Sequence, residues 1–384
     1  MLMPFYVPIG AAPKVVVVGG GYAGLAALVT LREHCRSAEI VLIDPQDHHL
    51  KITHLHESFR RPMAEFRLPF AMLEQRFGIR HLQAALTPDE ATLRRWNTDR
   101  LLVVGDEMLP FDYLLLANGA EYRGLAKNGQ ALDLADFGRQ PGPELLDRHF
   151  GFAGREGRFI TVVGGGPTGI QFLFEIAHFV RDRRLPCRLR LVDAGAAPLS
   201  EFNPKLGRYV MARMADLGIE HVSGQLFREQ GPESVVVERR ETGELSELPS
   251  ALALLFAGKA PGDRLATNWF GQVTVGGEVL ERTFAAGDCS RYRMPGSNAL
   301  SAQTAVRKGK LAARNILRHS GALKVLEPYW HQDLGYVISM GPSDSVGWIG
   351  LEGNVVAGLP ATVLKEVVEA QYDLLLAGVD TYFI

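Results

Sequence analysis

Two stretches of the chain share one glycine spacing, and each is followed by an aspartate at the distance a ribose requires. The first reads Gly19-Gly20-Gly21-Tyr22-Ala23-Gly24 and the second Gly164-Gly165-Gly166-Pro167-Thr168-Gly169. In a G-x-G-x-x-G turn the first glycine makes the bend, the second lets backbone approach a pyrophosphate, and the third lets a helix pack on a strand. Gly19, Gly21 and Gly24, with Tyr22 and Ala23 between them, are therefore candidate dinucleotide-binding residues. So are Gly164, Gly166, Thr168 and Gly169. Asp44 lies about 20 residues beyond Gly24 and can accept both hydroxyls of an adenosine ribose. Asp193 holds the equivalent place in the second unit. It also selects: a carboxylate repels a 2′-phosphate, and the AGAA stretch at 194–197 offers no arginine to bind one, which favours NADH over NADPH.

Residues of this kind work only when a strand delivers them and a helix receives them. The KVVVV run at 14–18 is an unbroken β-branched stretch, as in a strand buried on both faces of a parallel sheet. A helix-compatible stretch at 25–34 and a strand at 39–43 follow it. The order recurs as a strand at 159–163, a helix at 170–180 and a strand at 188–192. The helix N-terminus after each turn supplies free N–H groups and positive dipole to phosphates. The predicted class is α/β: two Rossmann-type dinucleotide-binding domains, the second inserted in the first, plus a small C-terminal segment. The predicted boundaries are 13–150, 155–256, 257–325 and 326–384. A bridge rich in Gly and Pro (Gly138, Pro141, Gly142, Pro143, Gly151, Gly154, Gly157) leads out of the first unit, and a strand over 251–256 with Ala257-Gly258 leads back.

Composition narrows the class of protein. A chain of 384 residues with 47% hydrophobic and 22% charged residues is that of an ordinary globular protein, and a net charge of −2 gives no reason to expect a nucleic acid partner. Cys35, Cys187 and Cys289 form no C-x-x-C pair, which suits a reducing cytoplasm. Residues 1–12 lack the basic start of a signal peptide, and no apolar run approaches the roughly 18–20 residues of a membrane span. The expected location is cytoplasmic, with attachment to the inner face of the membrane left open.

The motifs together resemble the two-dinucleotide-domain pyridine nucleotide-disulfide oxidoreductase superfamily, and within it most of all the type II NADH dehydrogenases. Three further segments carry the resemblance. FDYLLLANG at 111–119 is similar to the family's strand and turn between domains, with Asn118 where Thr is usual; TFAAGD at 283–288 is similar to its closing FAD motif; Ala302-Gln303 matches its Ala-Gln pair beside the flavin pyrimidine edge. The phrases EFNPKL at 201–206 and LGI at 217–219 read like the family's NAD domain. By resemblance Ala117, Asn118, Gly119, Gly258, Gly287, Asp288, Ala302 and Gln303 join the cofactor-binding set, FAD and NADH are the implied cofactors, and a quinone or quinone-like acceptor takes the electrons. A soluble acceptor and a non-catalytic redox-sensing flavoprotein are the alternatives.

Independently of the family, 298–317 reads as a helix with Ala305, Gly309 and Ala312 on one side. Its start, aimed at a flavin N1–C2=O edge, would stabilise the charge of the reduced cofactor. Departures from the family bear on the chemistry. Gln171 stands where a Glu is common and cannot exchange a proton, Leu173-Phe174 replace a small pair, and Glu175 matches a later Glu. Arg307-Lys308 replace a Gln-Gln pair of the quinone-site helix. The candidate catalytic residues are thus Gln171, Glu175, Gln303 and Arg307. By the same resemblance, no cysteine falls where the glutathione-reductase type, the coenzyme A-disulfide reductases and related peroxidases, or the sulfide:quinone oxidoreductases need one. His48, His49, His54 and His56 lack carboxylate or cysteine partners in sequence, so they are read as flavin-side or loop histidines, with no metal expected. Finally, 360–376 forms an apolar helix face (Val363, Leu364, Val367, Val368, Leu374, Leu375) beside Glu366, Glu369 and Asp373. Core packing or a homodimer is favoured there over an anionic membrane surface.

Overall fold

A computed structural model describes residues 12–120, 131–151, 157–258, 264–293, 296–321 and 324–382. Gly154 of the bridge and parts of all four expected segments lie outside these described residues. The first sheet is built on β1 (Lys14–Val18), whose residues Val15 to Val18 are all buried. β2 (Glu39–Asp44) and β4 (Tyr113–Leu116) pair parallel on either side of β1, and β3 (Arg80–Gln83) lies beyond β2. β-Branched and leucine side chains suit such a strand because both of its faces are covered. Helix α1 (Tyr22–His34) starts directly at the glycine turn, with Gly21 as its N-cap.

The second sheet repeats this plan. β6 (Arg158–Val163) pairs parallel with β7 (Cys187–Val192) and β9 (Leu252–Leu255), and β8 (Glu220–Val222) flanks β7. Helix α2 (Pro167–Asp182) starts at Gly166, with Pro167 in its first turn, where a missing N–H costs nothing. One strand departs from the expected boundary. β5 (Ala131–Asp133), inside the 13–150 segment, pairs with β9 and so belongs to the second sheet. β9 runs parallel to β6, so 252–255 completes the second sheet before the chain returns.

The return is made by β10 (Leu265–Thr267), β11 (Gln272–Val275), β12 (Glu278–Ala285) and β13 (Ser290–Tyr292). β12 pairs parallel with β4 and closes the first sheet in the order β13-β10-β11-β12-β4-β1-β2-β3. Helix α3 (Ala302–Ser320) starts later than the pattern suggests, because the Ser301 side chain caps it by accepting from Thr304 N at 3.1 Å. The C-terminal segment is an antiparallel sheet of β14 (Gly335–Ser339), β15 (Ser345–Ile349) and β16 (Leu351–Ala357), followed by α4 (Leu359–Leu376).

The buried face of α4 differs from the expected one. Ala361, Lys365, Tyr372, Leu375 and Leu376 point inward, while Leu359 (64% exposed), Val363 (56%), Val367 (55%) and Leu374 (42%) face solvent. The helix is turned by the ion pairs that Lys365 makes in the interior. Most of the apolar face expected to pack inward is therefore on the outside.

Candidate active site

The two glycine turns are superimposable in their local physics. Gly19 and Gly164 both have φ +105°, and a Cβ at either would lie 2.3 Å from a carbonyl, that of Ala117 or Phe256. A Cβ at Gly24 or Gly169 would sit 1.9 Å from the carbonyl of Gly19 or Gly164, so only glycine lets helix and strand close there. The middle glycines behave oppositely: a Cβ at Gly21 or Gly166 would meet nothing within 4 Å. Their spacing is thus not needed by the fold. It leaves open the space in front of a helix N-terminus, a place that can accommodate a pyrophosphate.

The acids stand where the spacing put them. Asp44 Oδ2 accepts from Gly20 N at 2.7 Å and its Oδ1 accepts from Gln46 N at 2.8 Å, which fixes the carboxylate at the end of β2. Asp193 accepts from Gly195 N at 3.3 Å, and its Oδ2 lies 2.2 Å from a Cβ position at Gly165. Gly119 and Gly258 close the strands beside the first and second turns, both at positive φ (+79° and +82°) with open space where a side chain would stand. Asn118 turns away, donating its Nδ2 to Leu86 O at 2.7 Å, so its backbone rather than its amide faces the turn. Around the first site, a Cβ at Gly287 would touch Ala23 Cβ (2.9 Å) and Ala305 Cβ (3.8 Å). One at Gly309 would meet Ala23 O at 2.1 Å. The small residues of α3 therefore let it lie directly on α1. This brings the Gly287-Asp288 turn and the start of α3, with Ala302 and Gln303, to the first glycine turn. These open cradles and fixed acids suit FAD at the first site and a nicotinamide nucleotide at the second.

Sequence reasoning missed a buried ionic array that ties the two units to the C-terminal helix. Glu57, 1% exposed on the 3₁₀ segment Ile52–Phe59, accepts from Lys365 Nζ at 2.8 Å and from Arg61 Nη1 at 3.0 Å. Lys365 also donates to Glu369 at 2.8 Å. Arg60 Nη2 lies 3.3 Å from Glu57, and Arg60 Nε donates to Glu175 on α2 at 3.1 Å. Burial pushes Glu57 up, but hydrogen bonds from His54 and the Lys365 charge overcome it and hold the carboxyl far below its usual range. Burial dominates at Glu175 and pushes it up to about 7, with Arg60 opposing. Burial likewise raises Glu369. The signal was present as a Glu inside a His-rich loop and a lone Lys on an apolar helix. Neither residue points inward by periodicity alone.

The histidines divide among different jobs. His49, buried, has Nδ1 at 3.0 Å from Gly20 O and Nε2 at 3.1 Å from Tyr372 OH, and burial pushes it down to about 4. His48 pairs with Asp47 at 2.6 Å. Contrary to the sequence reading, His54 does acquire carboxylate partners: its ring and the carboxylates of Glu57 and Glu369 bring ligand atoms within 4.8 Å of one another. The Lys365 ammonium is bonded to both carboxylates, so a cation already neutralises them. Leu173 and Phe174 are buried in the hydrophobic core around the second sheet, and Gln171 is half-buried one turn before Glu175.

Arg307 and Lys308 do not form the expected pair. Lys308 is 1% exposed, donates to Ser290 O (3.1 Å) and Asn298 Oδ1 (2.9 Å), and packs over Tyr292, so it is neither a pocket nor a surface lysine. Arg307 lies under the C-terminal tail, with Tyr382 over its guanidinium at 5.1 Å. The thiols of Cys187 and Cys289 are pushed up to about 11 by burial, which leaves them protonated at neutral pH.

Two glycine turns with open centres, each following a parallel strand of its own sheet, define the two-dinucleotide-domain class of oxidoreductase. The chain matches the pyridine nucleotide-disulphide oxidoreductase family over residues 13–309 and belongs to that family. It is an FAD-dependent oxidoreductase of the pyridine-nucleotide class. It is 24% identical to the type II NADH:quinone oxidoreductase of Staphylococcus aureus over 96% of this chain and 97% of that one. It is 25% identical to the Staphylococcus epidermidis protein of the same name, with the same coverage. Among solved structures, the NDH2 of Plasmodium falciparum in complex with NADH superimposes with TM-score 0.75 at 15% identity, covering 94% of each chain. The sulfide:quinone oxidoreductase of Aquifex aeolicus gives TM-score 0.76 at 15% identity, covering 96% of this chain and 92% of that one.

Proposed function

We propose that the protein passes a hydride equivalent from NADH through FAD to a quinone or quinone-like acceptor. The observation that carries the reading is the pair of glycine turns whose middle residues, Gly21 and Gly166, stand before open space while the flanking glycines are required by packing. Bound FAD supplies the hydride-accepting and electron-releasing chemistry. The chain supplies position and charge. Asp193 would engage the NADH ribose and Asp44 the FAD ribose, and the N-terminus of α3 would offer positive dipole to the flavin. The overall change, NADH + H⁺ + quinone → NAD⁺ + quinol, draws one proton from the protein or solvent. Glu175, pushed up to about 7 by burial, is the group suited to hold an exchangeable proton. Gln171 cannot take that part, which moves it one turn along α2 to Glu175.

The exposed stripe Leu359, Val363, Val367 and Leu374 supports docking at a lipid–water interface, where a quinone is found; no helix among the described residues is long and apolar enough to cross a membrane. Glu366 and Asp373 flank the stripe, so adsorption is to neutral lipid and insensitive to salt. Anaerobic mixing with NADH tests the reaction: the flavin should bleach and regain its absorbance on adding a quinone. Bleaching without reoxidation by any quinone would set the acceptor reading aside. Sedimentation with phosphatidylcholine vesicles tests the surface, and a dimer that buries the stripe instead would appear as a doubled mass without lipid.

A further inference from the structure

We propose that Arg307 and Lys310 of α3 form an anion-binding site, which the chain's own C-terminal tail fills through Asp380. The inference deepens the proposed function, on which it rests for naming the anion as part of the electron acceptor. Arg307 is half-buried, its Nε is enclosed, and that Nε has no hydrogen-bond partner among the described residues. A buried guanidinium N–H left unpaired costs free energy that a carboxylate, phosphate or ionised hydroxyl would recover. Burial lowers the affinity of this arginine for its proton, with Tyr382 and Asp380 opposing and Arg314 adding to the effect. Arg314 is itself committed to Glu327, at 2.7 and 2.9 Å, so that carboxylate is not free to pair with Arg307.

The tail behaves as an internal substitute for a ligand. One helical turn on, Lys310 is 5% exposed and pairs with Asp380, and its Nζ also donates to Tyr382 O at 3.3 Å. Asp380 Oδ1 accepts from Tyr382 N at 2.9 Å, which folds the tail back over the helix. The Tyr382 ring then covers both cations, at 5.1 Å from Arg307 Cζ and 5.3 Å from Lys310 Nζ. Between these two anchors, Thr381 has an enclosed hydroxyl with no hydrogen-bond partner among the described residues. Among the described residues, two unpaired polar groups, one on α3 and one on the tail, mark a closure that satisfies Lys310 but not Arg307.

The position suits an acceptor. Ala305 and Gly309 on α3 pack on the first glycine turn's helix, and Gln303 lies one turn before Arg307 on the same face. An entering molecule with an aromatic ring and an anionic group would take the place of Tyr382 over the cations and of Asp380 between them. The acceptor class inferred is an anionic, ring-bearing oxidant, in contrast to a neutral quinone.

The test compares equilibrium binding of 2-hydroxy-1,4-naphthoquinone, ionised at neutral pH, with that of neutral 1,4-naphthoquinone. Both are titrated into the oxidised holoenzyme without NADH and followed by fluorescence quenching. The parent should prefer the anion. Asp380→Asn, which frees Lys310, should strengthen that preference, and Arg307→Gln should weaken it about tenfold or more. Arg307→Lys, which keeps the charge, should retain part of it and guards against a folding artefact in the Gln variant. An affinity ratio that neither substitution moves, or one that Asp380→Asn lowers, overturns the proposal. If NADH fails to bleach the flavin of the parent, the proposed function falls, while the binding ratio still decides whether the anion site exists.

Discussion

Replacing Lys365 by Met tests whether the buried array holds the C-terminal helix on the two dinucleotide units. Methionine keeps an unbranched apolar stem of four atoms and removes the ammonium. In the parent that ammonium lies 2.8 Å from Glu57 and 2.8 Å from Glu369, with Lys365 and Glu57 at 6% and 1% exposure. Removing one partner of a buried pair costs about 3–5 kcal/mol, because the other charge stays buried without compensation. Here Arg61 at 3.0 Å and Arg60 at 3.3 Å still face Glu57, although both are partly exposed and screened. The cost therefore falls at the low end, about 3 kcal/mol. Glu57→Gln/Lys365→Met removes both charges and should cost less than the two single changes added together. Urea unfolding of the holoenzyme, followed by tryptophan fluorescence, measures the shift in midpoint. A Lys365→Met midpoint matching the parent, or strict additivity in the double variant, would refute the reasoning.

Gly166→Val should leave the unfolding midpoint near that of the parent, since a Cβ there meets nothing, yet slow flavin reduction by NADH at least about tenfold by filling the pyrophosphate space. Equal reduction rates in stopped flow would mean the space is not used. Asp193→Ala should narrow the preference for NADH over NADPH by relieving repulsion of the 2′-phosphate, and an unchanged ratio of reduction rates would take this acid off the ribose. Stability should fall in acid. Burial pushes His49 down to about 4 and His56 down to about 3 from 6.5, so between those values the unfolded chain binds protons that the folded one does not. Their contribution is full above pH 6.5 and is lost as pH drops through that window, at about 1.4 kcal/mol per pH unit for each. Glu175 acts in the opposite sense: raised from 4.5 to about 7, it favours the folded state less as pH rises through that range. His49→Gln should flatten the acid slope and Glu175→Gln should steepen it; the reverse result in urea midpoints taken from pH 4.5 to 7 would refute the assignment.

The sites that the sequence made legible are those governed by local rules. A glycine turn between a β-branched strand and a helix is a short-range object, so Gly19, Gly21, Gly24 and their second set could be read with their roles. Asp44 and Asp193 followed because one strand, one turn and one helix fix the distance to the next strand end. The small face of α3 was legible for the same reason, since Ala305 and Gly309 recur at helical spacing. What failed needed contacts between distant segments. Glu57 and Lys365 are 308 positions apart, and only their pairing turns α4 so that Lys365 faces in and Val363 and Val367 face out. Hydropathy favoured the opposite face; a buried carboxylate that must be neutralised outweighed it. The 3.6-residue period gives a helix its possible faces, while the charge waiting on a neighbouring element decides which of them is buried. Lys308 and Arg307 repeat the lesson at adjacent positions. Consecutive helical residues diverge by about 100°, so one cation enters a tyrosine-lined interior and the other lies beneath the tail. Sequence thus determined where the two open glycine turns form and how the chain repeats. Tertiary structure alone decided which charges are buried together, because burial energy depends on the partner brought up by the fold and not on the residue that carries the charge.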